Sequence, residues 1–149
     1  MTRVNFSQFN CSVAQCLAQV GDNWSFLIIR DAMAGVRRFS DFERSMGIAK
    51  NILRNRLSQL VESGILEKIE VGQHGSRQEY QLTNKGRDLF PVLVALWQWS
   101  ENWVPSAQRS PYQFFNQQTG SPLAKVSASD QDGDEIGLHN IGRRPRTSD

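Results

Sequence analysis

Cysteine is scarce in this chain of 149 residues: only Cys11 and Cys16 are present, too few for a disulfide framework. Five positions apart on a predicted helix, they face different sides, and a reducing cytoplasm is the expected compartment. No stretch approaches the roughly 18 apolar residues that a bilayer-spanning helix needs. The opening MTRVNFSQFN has no apolar core of the kind a secretory signal carries, so neither export nor a membrane partner is expected. Histidine is equally sparse, with His74 and His139 in separate turn-like segments. There are no paired acids, no nucleophile beside a base, and no glycine-rich phosphate loop after a strand, so the sequence predicts neither an enzyme nor a cofactor. Net charge is small as well, at +2. By itself that charge does not point to nucleic acid, and the argument turns on where the charges sit.

What is present is an ordinary globular composition, 39% hydrophobic and 21% charged, that changes near residue 104. Up to that point periodic apolar patterns follow one another; beyond it Ser, Gln, Asn, Asp and Gly dominate. Lys and Arg divide 12 and 5 between the two parts and Asp and Glu 10 and 5, giving net charges of +2 and zero. The expected organisation is a domain over 8–104 and an extension over 105–149, the latter ending in a disordered basic Arg143-Arg144-Pro145-Arg146.

Val13, Cys16, Leu17 and Val20 fall at i, i+3, i+4 and i+7 and predict a first helix over 11–20, with Cys16 in the core. Asp22 caps a second, apolar on nearly all sides, that runs to about Ala34. Ser40-Asp41-Phe42-Glu43 has the form of a capping box opening a short third helix, which Gly47 ends. A fourth runs from Ala49 to Ser63. After Gly64 the period changes: residues 65–71 and 77–82 alternate as strands joined by a turn over 72–76, where His74 is a turn residue. Thr83 then caps a long helix over 84–103, bent locally by Pro91. The expected fold is mainly α with a small β-hairpin, a winged helix-turn-helix with a long terminal dimerisation helix and a tail carrying a further small hairpin.

The fourth helix indicates what such a fold would do. Leu53, Leu57, Leu60 and Val61 gather on one side; Asn51, Arg54, Asn55 and Ser58 gather on the other, with no acid before Glu62. Amides and guanidinium are the groups that read base edges in a major groove, Arg on guanine and Asn on adenine. Between Arg37 and Arg56 six basic residues face only Asp41 and Glu43, so the modest overall charge conceals a local excess of four. Arg37, Arg38 and Lys50 are the expected phosphate contacts. Arg56, at the margin of the apolar face, is either a phosphate contact or one half of an internal ion pair. Arg77 on the hairpin either grips phosphate or the minor groove, or pairs with Glu79 or Glu67. A solvated polar face is the usual reading of such a helix alone; its coupling to a short capped helix, a tight turn and a hairpin favours DNA. The alternative is a winged-helix protein-interaction module, which would be expected to expose apolar anchors where this helix carries Asn51, Arg54 and Asn55.

Several stretches also carry a resemblance: Val20-Gly21-Asp22-Asn23-Trp24-Ser25, Gly35-Val36-Arg37-Arg38-Phe39, Gly47-Ile48-Ala49-Lys50-Asn51-Ile52-Leu53, Arg56-Leu57, Leu60, Gly64-Ile65-Leu66, Tyr80-Gln81-Leu82-Thr83-Asn84-Lys85-Gly86 and Pro91-Val92-Leu93. Over residues 10–104 this ordered series resembles the HxlR-type branch of the MarR-like winged-helix regulators of bacteria. The resemblance implies a cytoplasmic, homodimeric transcriptional regulator, joined through its first and last helices and bound to a palindromic double-stranded operator. A small-molecule effector belongs to the same expectation. The dimer is expected on Val13, Leu17, Leu89, Leu93, Leu96, Trp97 and Trp103; the aromatic surface of the last helix independently suggests an interface, the alternative being that the tail folds back over it. In some relatives a cysteine just before the first helix senses oxidants, and Cys11 matches that position, where the helix dipole favours a thiolate; a small structural residue is the alternative.

The tail resembles an extension in which some relatives carry Cys and His pairs. Here it contains no Cys and one His, so no metal is expected. Val126, Ala128, Asp132-Gly133, Ile136 and Leu138 suggest the small hairpin, with Tyr112, Phe114 and Phe115 as anchors to the main domain.

Overall fold

The computed structural model of the protein describes residues 4–75 and 77–147; Ser76, at the end of the predicted wing turn, lies outside them. The chain forms two compact units, one ending at Leu93 and the other beginning at Val94. The division between these two units falls inside the terminal helix.

In the first unit the helices are α1 (Ser12–Val20), α2 (Ser25–Met33), α3 (Phe39–Met46) and α4 (Lys50–Glu62). The hairpin β1 (Leu66–Val71) and β2 (Arg77–Leu82) follows, then a single turn α5 (Asn84–Arg87) and the start of α6 (Phe90–Trp103). The core joins Val20, Ile28, Ile29, Phe42, Ile48, Leu53, Leu57, Leu60, Ile65, Leu66 and Leu82. Asp22 acts as predicted at the head of α2: its Oδ1 accepts from the amides of Trp24 at 2.9 Å and Ser25 at 3.0 Å.

Only one residue of the apolar stripe of α1 reaches the core. Val20 is buried, whereas Val13 and Leu17 are 68% and 44% exposed. Cys16 is exposed too, which corrects its expected place in the core. An apolar stripe reports that a face avoids water, not whether the cover comes from the same chain.

The predicted capping box at Ser40 does not form. Helix α3 starts one residue earlier, because the Arg38 carbonyl already accepts from Asp41 and Phe42. Ser40 thus lies within the first turn. Gly47, left-handed at φ 61, closes α3 with its amide on the Glu43 carbonyl at 2.9 Å, a backbone setting that favours glycine.

The strands pair antiparallel from Leu66 opposite Leu82 to Val71 opposite Arg77. From within β2 the Tyr80 amide donates to the Arg37 carbonyl at 2.8 Å, so the segment before α3 is fastened to the hairpin. In the turn His74 is left-handed at φ 55, between Gly72 and Gly75, also left-handed.

Residues 84–103 do not form one bent helix. The chain breaks at Asp88 and Leu89, separating α5 from α6. Pro91 supplies no N–H for the Arg87 carbonyl, so a break two residues ahead of it costs little, and the proline falls in the first turn of α6, where it is tolerated. Thr83 caps α5, its hydroxyl accepting from the Gly86 amide at 3.1 Å. Gly86 is required by close approach: a Cβ there would run into the Ile65 carbonyl oxygen.

In the second unit, Trp97 meets Phe114 edge-on at 5.0 Å. The Gln98 side chain bridges to the tail backbone, donating to the Ala124 carbonyl at 2.8 Å and accepting from the Val126 amide at 2.7 Å. A short hairpin, β3 (Ala128–Ser129) with β4 (Glu135–Ile136), turns through Gly133 as predicted, though with shorter strands. Of the expected aromatic anchors, Phe114 packs, while Tyr112 is 82% exposed.

Candidate nucleic-acid interface

Helix α4 is fixed by Leu53, Leu57 and Leu60, each fully buried. Burying such a side chain is worth roughly 1.5–3 kcal/mol, so the rotation of α4 about its axis is set by the core. That rotation leaves Asn51, Arg54, Asn55 and Ser58 all exposed on the outer side. The structure therefore brings together the four residues singled out from the sequence.

Around this face the electrostatics are arranged in pairs. Arg38 lies 3.6 Å from Glu79 on β2, Arg44 is 3.4 Å from Asp41, and Lys50 is 3.9 Å from Glu43. Each pair is solvent-exposed on at least one side, so each is weak and readily exchanged for another anion. Arg37 donates to the Gln81 side chain at 3.2 Å, and Gln81 in turn donates to Glu67 at 2.6 Å. Arg54 lies over the Phe39 ring at 5.7 Å, which holds its guanidinium without neutralising it. Arg77 is exposed, and neither acid foreseen as its partner pairs with it among the described residues: Glu79 faces Arg38 and Glu67 accepts from Gln81.

Arg56 is different. Its Nε stands 3.3 Å from Asp22 Oδ1, with side chains only 17% and 10% exposed, and its Nη1 donates to Gln59 at 2.8 Å. Of the two roles open from the sequence, the structure forms the internal ion pair. Burial alone would raise the Asp22 carboxyl; hydrogen bonds from the Ser25 hydroxyl and the Trp24 amide, with the Arg56 charge and the Ser25 amide, outweigh it and hold it below its ordinary value.

Neither α3 nor α4 has a side-chain cap at its N-terminus, where Arg38 and Ala49 stand. Their first amides are thus donors at the positive end of a helix, a setting suited to anions. The Arg37–Gln81–Glu67 chain and the Arg38–Glu79 pair escaped sequence reading, since both span more than forty residues between the α3 approach and β2.

The sequence pattern of the HxlR-like helix-turn-helix family matches residues 19–108. The chain belongs to that family. Among its HxlR-like and related neighbours is the uncharacterised HTH-type transcriptional regulator Rv3095 of Mycobacterium tuberculosis, 35% identical over 134 residues that cover 90% of this chain and 85% of the relative. The crystal structure of the transcription-factor candidate PA1607 superposes with a TM-score of 0.87 at 40% identity, covering 97% of this chain and 100% of that one. The reduced form of the redox regulator HypR superposes with a TM-score of 0.58 at 28% identity, covering 62% of this chain and 92% of that one. Fold and relatives together identify a transcriptional regulator with a helix-turn-helix DNA-binding fold. Among the described residues no helix is long and apolar enough to cross a membrane.

Proposed function

We propose that the protein is a sequence-specific, homodimeric DNA-binding regulator that lays α4 in the major groove. The observation that carries this reading is the outer face of α4: Asn51, Arg54, Asn55 and Ser58 are exposed together on a helix whose other side is locked in the core. Bidentate donors and acceptors of this kind match base edges, and a protein-docking helix would carry apolar anchors there instead. Arg37, Arg38 and Lys50 flank the face and take phosphate, exchanging their weak acidic partners for it. The uncapped starts of α3 and α4 add amide donors to the same backbone. Arg77, on the hairpin and free of the foreseen acids, contacts phosphate or the minor groove. Arg56 is left out of this set, being engaged with Asp22.

The dimer rests on the exposed apolar residues of α1 and α6. Val13 and Leu17 on α1 and Leu96 and Trp103 on α6 are each at least 44% exposed, and Trp103 reaches 73%; Leu89, Leu93 and Trp97 are half-buried. Such surface is unfavourable in water and suits a second copy. Selection of bound duplexes from a random pool should therefore return a palindrome whose half-sites lie about one helical turn, or a multiple of it, apart. Recovery of unrelated sequences, or of a single half-site, would count against the reading.

Cys11 has the exposure a thiol sensor needs, at the start of α1, and HypR is itself a redox regulator. As an oxidant sensor it should lose any peroxide effect on operator affinity in Cys11→Ser but not in Cys16→Ser. An effect that survives Cys11→Ser would return Cys11 to a structural role.

A further inference from the structure

Arg54 is the one long side chain on the outer face of α4, beside Asn51, Asn55 and Ser58. A free arginine on a helix surface samples many rotamers, and a contact that reads a base has to fix one of them. No carboxylate does so here. Among the described residues Arg54 forms no ion pair, whereas Arg30, Arg38, Arg44 and Arg56 each do. Its guanidinium stands instead 5.7 Å from the centre of the Phe39 ring, and it is the one arginine among them held over an aromatic face. Phe39 opens α3 and packs partly against the core, so the ring is fixed from beneath. The two residues before it are tied to the wing. The Arg37 carbonyl accepts from the Tyr80 amide at 2.8 Å, and Arg38 faces Glu79 at 3.6 Å. The ring therefore stands between the arginines directed at phosphate and the one directed at a base.

We propose that Phe39 is a positioning residue for base recognition, a rigid platform that aims Arg54 at a guanine of the operator. The inference rests on the DNA-binding reading above and names what sets its specificity. An aromatic face attracts a guanidinium without consuming its N–H donors. Those donors stay available for O6 and N7 of guanine, which a guanidinium meets with two hydrogen bonds at once. A carboxylate in the place of the ring would hold Arg54 as firmly and occupy the same donors. Phe39 also follows Arg37 and Arg38 directly in the chain. The grip on the DNA backbone and the aim of Arg54 thus share one segment, so that phosphate contacts set the register in which the base is read.

The test uses the full chain as Phe39→Leu, Phe39→Tyr, Arg54→Ala and the double variant Phe39→Leu with Arg54→Ala. Leucine keeps apolar volume against the core and removes the ring; tyrosine keeps the ring. Without DNA, nuclear magnetic resonance reads the contact itself. The side-chain protons of Arg54 should be shifted upfield by the ring in the wild type and Phe39→Tyr, and should lose that shift in Phe39→Leu. The DNA probes are the duplex selected from a random pool and the same duplex with 7-deazaguanine, which lacks the N7 acceptor, at the position that Arg54→Ala relaxes. The wild type should prefer the unmodified duplex about tenfold. Phe39→Leu should lower that preference about three- to tenfold, and Phe39→Tyr should retain it. In the Arg54→Ala background Phe39→Leu should change it no further. The preference is a ratio of two affinities of one protein, so a smaller folded fraction leaves it unaltered. Equal loss on both duplexes, an effect of Phe39→Leu that survives Arg54→Ala, or Phe39→Tyr behaving as Phe39→Leu makes Phe39 a packing residue and overturns the proposal. So does a wild type whose Arg54 shows no ring shift. A ring shift in a protein that selects no DNA sequence leaves the contact standing and removes the DNA reading, and with it the role given to the ring.

Discussion

Placing glutamate at both Leu17 and Leu96 should convert the protein to monomers and lower operator affinity by about 10² to 10⁴-fold. The two side chains are 44% and 50% exposed within the chain, on α1 and α6 respectively, so charge at either leaves the fold of one chain intact. In a dimer the same positions become buried, and an unpaired carboxylate there is strongly unfavourable. The loss in affinity follows because a dimer engages its second half-site as an intramolecular event. Trp97 is the less informative choice: it packs on Phe114 at 5.0 Å, and its replacement disturbs the second unit itself. Sedimentation and operator titration are to be read together. A double variant that sediments as an unaltered dimer would remove α1 and α6 from the interface.

Asp22→Ala should be the most damaging single change to stability outside the apolar core, at about 2–4 kcal/mol. One carboxylate serves four groups: it accepts from the Trp24 and Ser25 amides that open α2 and from the Ser25 hydroxyl, and it neutralises Arg56. Its removal strands a guanidinium that is only 17% exposed and leaves α2 uncapped. Asp22→Asn keeps an acceptor for the amides and should lose less. The pH dependence is fixed in sign. The folded carboxyl titrates below its ordinary value, so its contribution is fully present above the unfolded pKa, near 4, and is lost as pH falls through the lower folded value. Urea unfolding at neutral pH and at about pH 3 should therefore show the difference between wild type and Asp22→Asn shrinking in acid. A difference independent of pH would mean that the charge of Asp22 contributes nothing.

The parts of the fold legible in the sequence were those governed by local period and local breaks. The stripe of Leu53, Leu57 and Leu60 defined α4 and, by opposition, its outer face. Gly47 and Gly64 ended α3 and α4 where the left-handed backbone requires them. Less legible were features decided by distant partners. Ser40 had the spacing of a cap, yet α3 begins at Phe39, one residue before it. Cys16 fitted an apolar stripe, yet that stripe meets the core only at Val20. Arg56 stood at a margin where solvent and interior are equally close, and only Asp22, distant in sequence in the link between α1 and α2, decides between them. The pairing of Arg37 with Gln81 and of Arg38 with Glu79 depends on the hairpin folding back beside α3, which no window of local sequence contains.

The most direct test of the central claim is to titrate Arg54→Ala and Arg37→Ala against the selected operator and a scrambled duplex at several salt concentrations. Arg54 lies on the exposed face of α4, held over Phe39, and Arg37 flanks it on the segment tied to β2. Arg54→Ala should cost about 1–3 kcal/mol on the operator, little on the scrambled duplex, and relax preference at one position of each half-site. Arg37→Ala should weaken both duplexes alike and reduce the salt slope by roughly one per chain. The contrary result is Arg54→Ala lowering both affinities equally or leaving both unchanged, in which case α4 does not read the operator.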